Sequence, residues 1–139
     1  MSFPFHVSCS EPAVPLFQLA DGRFQLIKDG SIAPFMDGPG YLLLENELAE
    51  FLVDLDIPGI DFEPATIWHR RIDREYLTHT RMNVETHFAQ KEIQELDLNG
   101  LACYVMGDRY LFVSSSLKQV LVTSPFQYLE FSEGLDWFA

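Results

Sequence analysis

The sequence predicts a single α+β domain over residues 1–139, with a mixed or mainly antiparallel sheet and two packed helices. Three observations carry this expectation. One segment spaces its apolar residues at three, four and seven directly after a β-prone run and a second repeats its leucine pair four apart, residues 75–84 alternate side-chain character, and a shift of 69 positions lays one part of the chain on another. The length suits one core, because a chain of 139 residues buries roughly two-thirds of its unfolded surface.

Residues 1–40 read as an N-terminal β-hairpin region. Leu16–Ala20 and Arg23–Ile27 are short β-prone runs on either side of Asp21-Gly22, a pair suited to a tight hairpin turn. Asp37-Gly38-Pro39-Gly40 is a dense group of chain breakers and marks a loop. Tyr41–Leu44 then reads as a strand. Asn46 is placed to cap a helix whose apolar positions are Leu48, Phe51, Leu52 and Leu55, and Pro58-Gly59 ends it. Ile60-Asp61-Phe62-Glu63 alternates as a returning strand.

In the 75–84 stretch, Tyr76, Thr78, Thr80, Met82 and Val84 share one face, and Glu75, Leu77, His79, Arg81 and Asn83 form a polar outer face. Lys91–Leu98 fits a strand or a short helix equally. Leu101–Met106 is apolar on both sides, the pattern of a covered central strand. Gly107-Asp108 turns the chain into Tyr110–Val113, after which Ser115 is placed to cap a second helix and a final strand follows.

The 69-residue shift aligns 36–68 with 105–137 without a gap. Gly38 meets Gly107, Tyr41 meets Tyr110, Leu42 meets Leu111, and Leu48, Leu52 and Val53 meet Leu117, Leu121 and Val122. Phe62 meets Phe131 and Trp68 meets Trp137. Average composition would give roughly two identities over such a length. The expectation is a duplicated strand–helix–strand unit at 41–68 and 110–137.

The second copy, Tyr110-Leu111-Phe112-Val113-Ser114-Ser115-Ser116-Leu117-Lys118 ending at Leu129-Glu130-Phe131, resembles a bacterial immunity-protein family associated with polymorphic toxin systems. The first copy is similar at Tyr41–Leu44 and Gly59–Pro64, and Arg81-Met82-Asn83-Val84 is similar to that family's middle strand. The likeness spans about residues 41–137. Glu45 departs from it where a serine is expected, and Gln127-Tyr128 replaces a glycine-containing turn. The resemblance implies a cytoplasmic, non-catalytic protein that binds and neutralises a cognate toxin, and it supplies no catalytic residue.

Charge narrows the partners. Nine Lys and Arg against 21 Asp and Glu give a net −12, which repels nucleic acid and anionic lipid. No secretory signal is visible at the N-terminus, and Cys9 and Cys103 read as free thiols of a reducing compartment. Glu45, Glu47, Glu50, Asp54, Asp56, Asp61 and Glu63 occur with no intervening Lys or Arg, while Arg70, Arg71, Arg74 and Arg81 cluster nearby. Glu47, Glu50, Asp54, Asp56, Asp61 and Glu63, with Trp137 as an aromatic anchor, form the predicted partner-binding surface for a basic protein toxin. The same acids are equally the composition of a solvated helix face.

No catalytic, metal or cofactor signature is present. The enzymatic alternative is a hydrolase-like or metal-dependent site in which His79 and His87 meet Asp73 or Glu85. Further alternatives are a nucleic-acid mimic and a self-associating module, in the simplest case a homodimer.

Overall fold

The computed structural model describes residues 2–139. Along them run β1 (Phe5–Cys9), β2 (Leu16–Gln18), β3 (Phe24–Leu26), β4 (Phe35–Gly38), β5 (Tyr41–Glu45), α1 (Asn46–Asp54), β6 (Ile60–His69), β7 (Arg74–Val84), β8 (His87–Phe88), β9 (Cys103–Met106), β10 (Tyr110–Val113), α2 (Ser115–Val122) and β11 (Leu129–Glu133). 3-10 segments lie at Gln90–Glu95 and Asp136–Phe138. The strands form two sheets, ordered β11-β1-β10-β9-β8 and β2-β3-β6-β7-β5-β4.

This corrects the expected fold class. The domain is sheet-dominated, with 41% strand against 19% helix, and is not one sheet covered by two packed helices. The leucine spacings do mark helices. Yet α1 has nine residues and α2 eight, too little surface to cover a sheet. What covers each sheet is largely the other one. Phe35, Leu42, Leu44, Met82 and Val84 of one sheet meet Val7, Cys103, Val105, Leu111, Val113 and Leu129 of the other, and Leu48, Leu52, Leu117 and Leu121 of the helices complete this central core. Truncating a fully buried member such as Leu117 to alanine costs about 2–5 kcal/mol.

Alternation along the strands fills two outer clusters. Tyr41 and Leu43 turn away from the centre to pack with Leu16, Phe24, Leu26 and Ile67. Phe112, on the outer face of the other sheet, packs with Phe88, Ile93 and Tyr104. The hairpin at Asp21-Gly22 forms as the β-prone runs demand, with Leu16 opposite Leu26 and Gly22 at φ +93.

Two units share one element order: β4-β5-α1-β6 and β9-β10-α2-β11. In the first sheet neighbours run β6-β7-β5-β4, and in the second β11-β1-β10-β9, so β1 occupies the place of β7. The registers agree as well. Phe62 opposes Met82 where Phe131 opposes Val7, and Leu43 opposes Arg81 where Phe112 opposes His6. The strand inserted into the first unit, β7, follows it in sequence, and the one inserted into the second, β1, is supplied from the other end of the chain.

Several aligned identities fall on matching positions, among them Leu42 with Leu111 and Leu48 with Leu117 in the central core. Others do not. Gly38 lies in β4 opposite Tyr41, whereas Gly107 lies in a turn at φ +65. Trp68 is in β6, but β11 ends at Glu133, which leaves Trp137 in a 3-10 turn. Both helix caps sit one residue earlier than expected. Glu45 precedes α1 without a side-chain cap, and the Ser114 hydroxyl caps α2 by accepting from the Leu117 N–H. Asn46 instead ties α1 to β7, donating to the Leu77 carbonyl at 3.0 Å and accepting from the Thr80 hydroxyl at 2.8 Å.

Besides the short edge strands β2, β4 and β8, two longer strands leave edges open. β3 reaches only Ile67 and Trp68 of β6, so Ile60–Ala65 pairs on one side alone, and β11 is outermost in its sheet. Asp61, Glu63 and Pro64 on one edge and Glu130 and Glu133 on the other blunt them against strand addition. No helix among the described residues is long and apolar enough to cross a membrane.

The matched units make the order of connection dispensable. The Gly134 N–H donates to the Pro4 carbonyl at 2.9 Å, which brings the two ends of the chain together. Joining Ala139 to Ser2 by about eight Gly/Ser residues and opening the exposed Ser10–Ala13 segment keeps every strand pair. The permutant is expected to fold with the parent far-UV circular dichroism and a urea m-value unchanged; a collapsed m-value would show that the original order is required.

Candidate functional site

The six predicted acids are all exposed. Glu47, Glu50 and Asp54 project from α1, Asp56 stands just past its end, and Asp61 and Glu63 lie on the open half of β6. Asp61 accepts from Asn83 Nδ2 at 2.9 Å, and Glu63 stands 3.8 Å from Arg81 Nη1. Among the described residues the other four form no ion pair. Val53 (54% exposed) and Leu77 (70% exposed) leave apolar area on α1 and β7.

Two of these acids sit where a helix disfavours them. The carbonyl end of a helix carries partial negative charge, yet α1 ends in Asp54 followed by Asp56 and has no basic residue in its last turn. Asp56 also adopts φ +53, a left-handed conformation that glycine takes without strain. Glu47, in the first turn, is placed favourably.

The basic cluster lies at the other end of β6, about 30 Å away along a ten-residue strand. There Arg71 Nη2 donates to Asp29 Oδ2 at 2.7 Å, and Arg74 lies over the Tyr76 ring at 4.8 Å. Arg81 is apart from this corner, donating to the Gly40 carbonyl at 2.7 Å.

The histidine alternative is not assembled. His79 is buried, 5% exposed, and not on a polar outer face as expected. A β-bulge near Ala65 and Ile67 interrupts the β6–β7 register, and the His79 ring turns inward to donate from Nε2 to the Ala33 carbonyl at 2.8 Å. That fixes Nδ1 as the acceptor for the Thr78 hydroxyl at 2.9 Å. Burial lowers its pKa, which favours this neutral form. His87 belongs to the other sheet, where Nδ1 donates to the Gly107 carbonyl at 2.8 Å. No group of three His, Cys, Asp or Glu side chains is set to hold a metal ion among the described residues. Cys103 is a buried core residue whose thiol is pushed up to about 12 by burial.

A cleft of about 330 Å³ opens where β1 and β4 approach each other beside the β9–β10 turn. His6, Glu11, Asp37, Tyr41, Arg109, Tyr110 and Trp137 line it, and none of the six predicted acids does. Of the residues predicted to form the partner-binding surface, Trp137 alone lines this cleft. The two hairpin tips clasp here: Arg109 Nε donates to Asp37 Oδ1 at 3.0 Å, and the Gly40 N–H donates to the Asp108 carbonyl at 2.9 Å. Arg109 lies over the Tyr110 ring at 5.3 Å. Burial raises the Asp37 pKa, opposed by the hydrogen bond and charge of Arg109.

His6 is the group that sequence reasoning missed. It is 1% exposed, and among the described residues neither ring nitrogen has a hydrogen-bond partner. Trp137, Phe138, Phe112 and Tyr110 surround it with ring centroids at 4.6, 5.0, 5.4 and 5.9 Å. Burial lowers its pKa from 6.5 to about 4. The alternating pattern of Phe5-His6-Val7 carried a signal, since adjacent strand residues face opposite ways and His6 had to enter one core or the other. An unpaired buried polar group costs about 1–3 kcal/mol, so this histidine is a poor choice for stability alone.

Because the unfolded chain takes up a proton at His6 more readily than the folded one, stability is full above about pH 6.5 and falls as pH drops towards 4. His6→Phe keeps the ring and removes both orphan nitrogens. It is expected to raise the urea midpoint at pH 7 and to flatten its decline between pH 6.5 and 4. A parent-like decline would show that other groups, His79 among them, carry the dependence.

Comparison with protein-family models, curated proteins and solved structures finds no match to this chain.

Proposed function

We propose that the chain is a non-catalytic binding protein of the immunity type, which neutralises a basic protein toxin by associating with it through the α1–β6 acidic face. The observation that carries this reading is the position of Asp54 and Asp56. Solubility is served by acids anywhere on the surface. Placing them at the negative end of a helix, with no basic residue in its last turn, is electrostatically unfavourable. Acids kept at such positions are accounted for by something they meet. A basic surface approaching α1 would be steered by the field of Glu47, Glu50, Asp54 and Asp56, with Val53 and Leu77 supplying apolar contact.

The test sets stability against association. Asp54→Lys combined with Asp56→Gly is expected to stabilise the chain by about 1–2 kcal/mol in urea unfolding. The same variant is expected to slow association with the purified product of the adjacent gene about tenfold in low salt, with the difference shrinking as salt is added. An unchanged association rate, or no association of the parent chain at all, refutes the proposal.

A further inference from the structure

The geometry points to the cleft between the hairpin tips as a receptor for one guanidinium or ammonium side chain of a protein partner. This rests on the binding function proposed above and adds to it a second, chemically distinct contact away from α1.

Four observations converge. The cleft is about 330 Å³, which suits a single side chain or small ligand better than a chain segment. Its charged lining is Glu11, Asp37 and Arg109, and since Arg109 is committed to Asp37, the Glu11 carboxylate has no counter-ion among the described residues. Trp137, 51% exposed, and Tyr110 offer aromatic faces, the surfaces on which cations are held best. His6 is a lining residue, almost fully buried, and among the described residues both its ring nitrogens are unpartnered, one necessarily a hydrogen-bond acceptor in the neutral form.

Arg109 shows that the environment accepts such a group. Its guanidinium lies between the Asp37 carboxylate and the Tyr110 ring. A second cation entering the cleft would meet an equivalent set: Trp137 for its face, Glu11 for its charge and the His6 acceptor nitrogen for an N–H. The depressed His6 pKa keeps that nitrogen unprotonated near neutrality, so the imidazole does not repel the incoming charge. An anion would face Glu11 unpaired, and a purely apolar side chain would leave His6 and Glu11 unsatisfied.

The experiment titrates the full chain with N-acetyl-arginine amide, following the Trp137 indole and His6 imidazole resonances by NMR. N-acetyl-citrulline amide, nearly the same shape without the charge, is the control. Saturable shifts at both residues are expected with the arginine compound, weakened at least threefold by Glu11→Gln and at least fivefold by Trp137→Ala. Glu11 is exposed, so its variant keeps the fold, and an unchanged amide spectrum elsewhere verifies this. Equal binding of the citrulline compound, shifts confined to α1, or no saturable shift at either residue overturns the inference. The titration contains no partner protein. A failure to bind the adjacent gene's product therefore counts against the proposed function alone, and a silent cleft counts against this site alone.

Discussion

The insertion of β1 between β10 and β11 is the constraint on which the rest of the molecule depends. Without it β11 has no hydrogen-bonded neighbour, the central core loses Val7, and the cleft loses His6. Phe5 opposes both Val113 and Glu133, so the strand that completes the second unit comes from the far end of the sequence. Contacts of such separation are slow to form, because loop closure is unfavourable until the pairing is made. The first unit has no such delay: β6 and β7 are joined by a short turn and pair along most of their length.

This asymmetry explains what could be read from the sequence. Local signals were legible. Asp21-Gly22 predicted its hairpin, the Leu48/Leu52 and Leu117/Leu121 spacings predicted two helices, and the apolar Leu101–Met106 run predicted a strand covered on both faces. The partition into two sheets was not legible, because period-two alternation tells which face a residue takes and not which strand it pairs with. β1 and β7 hold equivalent places in register, yet Phe5-His6-Val7-Ser8-Cys9 and Thr80-Arg81-Met82-Asn83-Val84 agree at no aligned position. Equivalence that lives in pairing alone leaves no trace in a sequence comparison.

The candidate sites divide along the same line. The acidic run on α1 and β6 is contiguous in sequence, and its exposure follows directly from the inward leucines. The cleft gathers His6, Glu11, Asp37, Arg109 and Trp137 from four separated segments, so only the tertiary fold brings them into one place. Its integrity depends on the Asp37–Arg109 clasp, which joins a tip of one sheet to a tip of the other. Trp137 was grouped with the α1 acids on residue type alone, as an aromatic anchor, and it lies in the 3-10 turn beside the cleft.

The two open edges have a bearing on crowding. β6 and β11 are equivalent strands of the two units, and each leaves backbone groups free on one side. Two copies meeting edge to edge would set Asp61 and Glu63 against Glu130 and Glu133, or against their own counterparts, and every such pairing brings like charges together. The negative charge on these strands thus sets a colloidal limit: as copies accumulate, their sheets repel before they can join into a continuous ribbon.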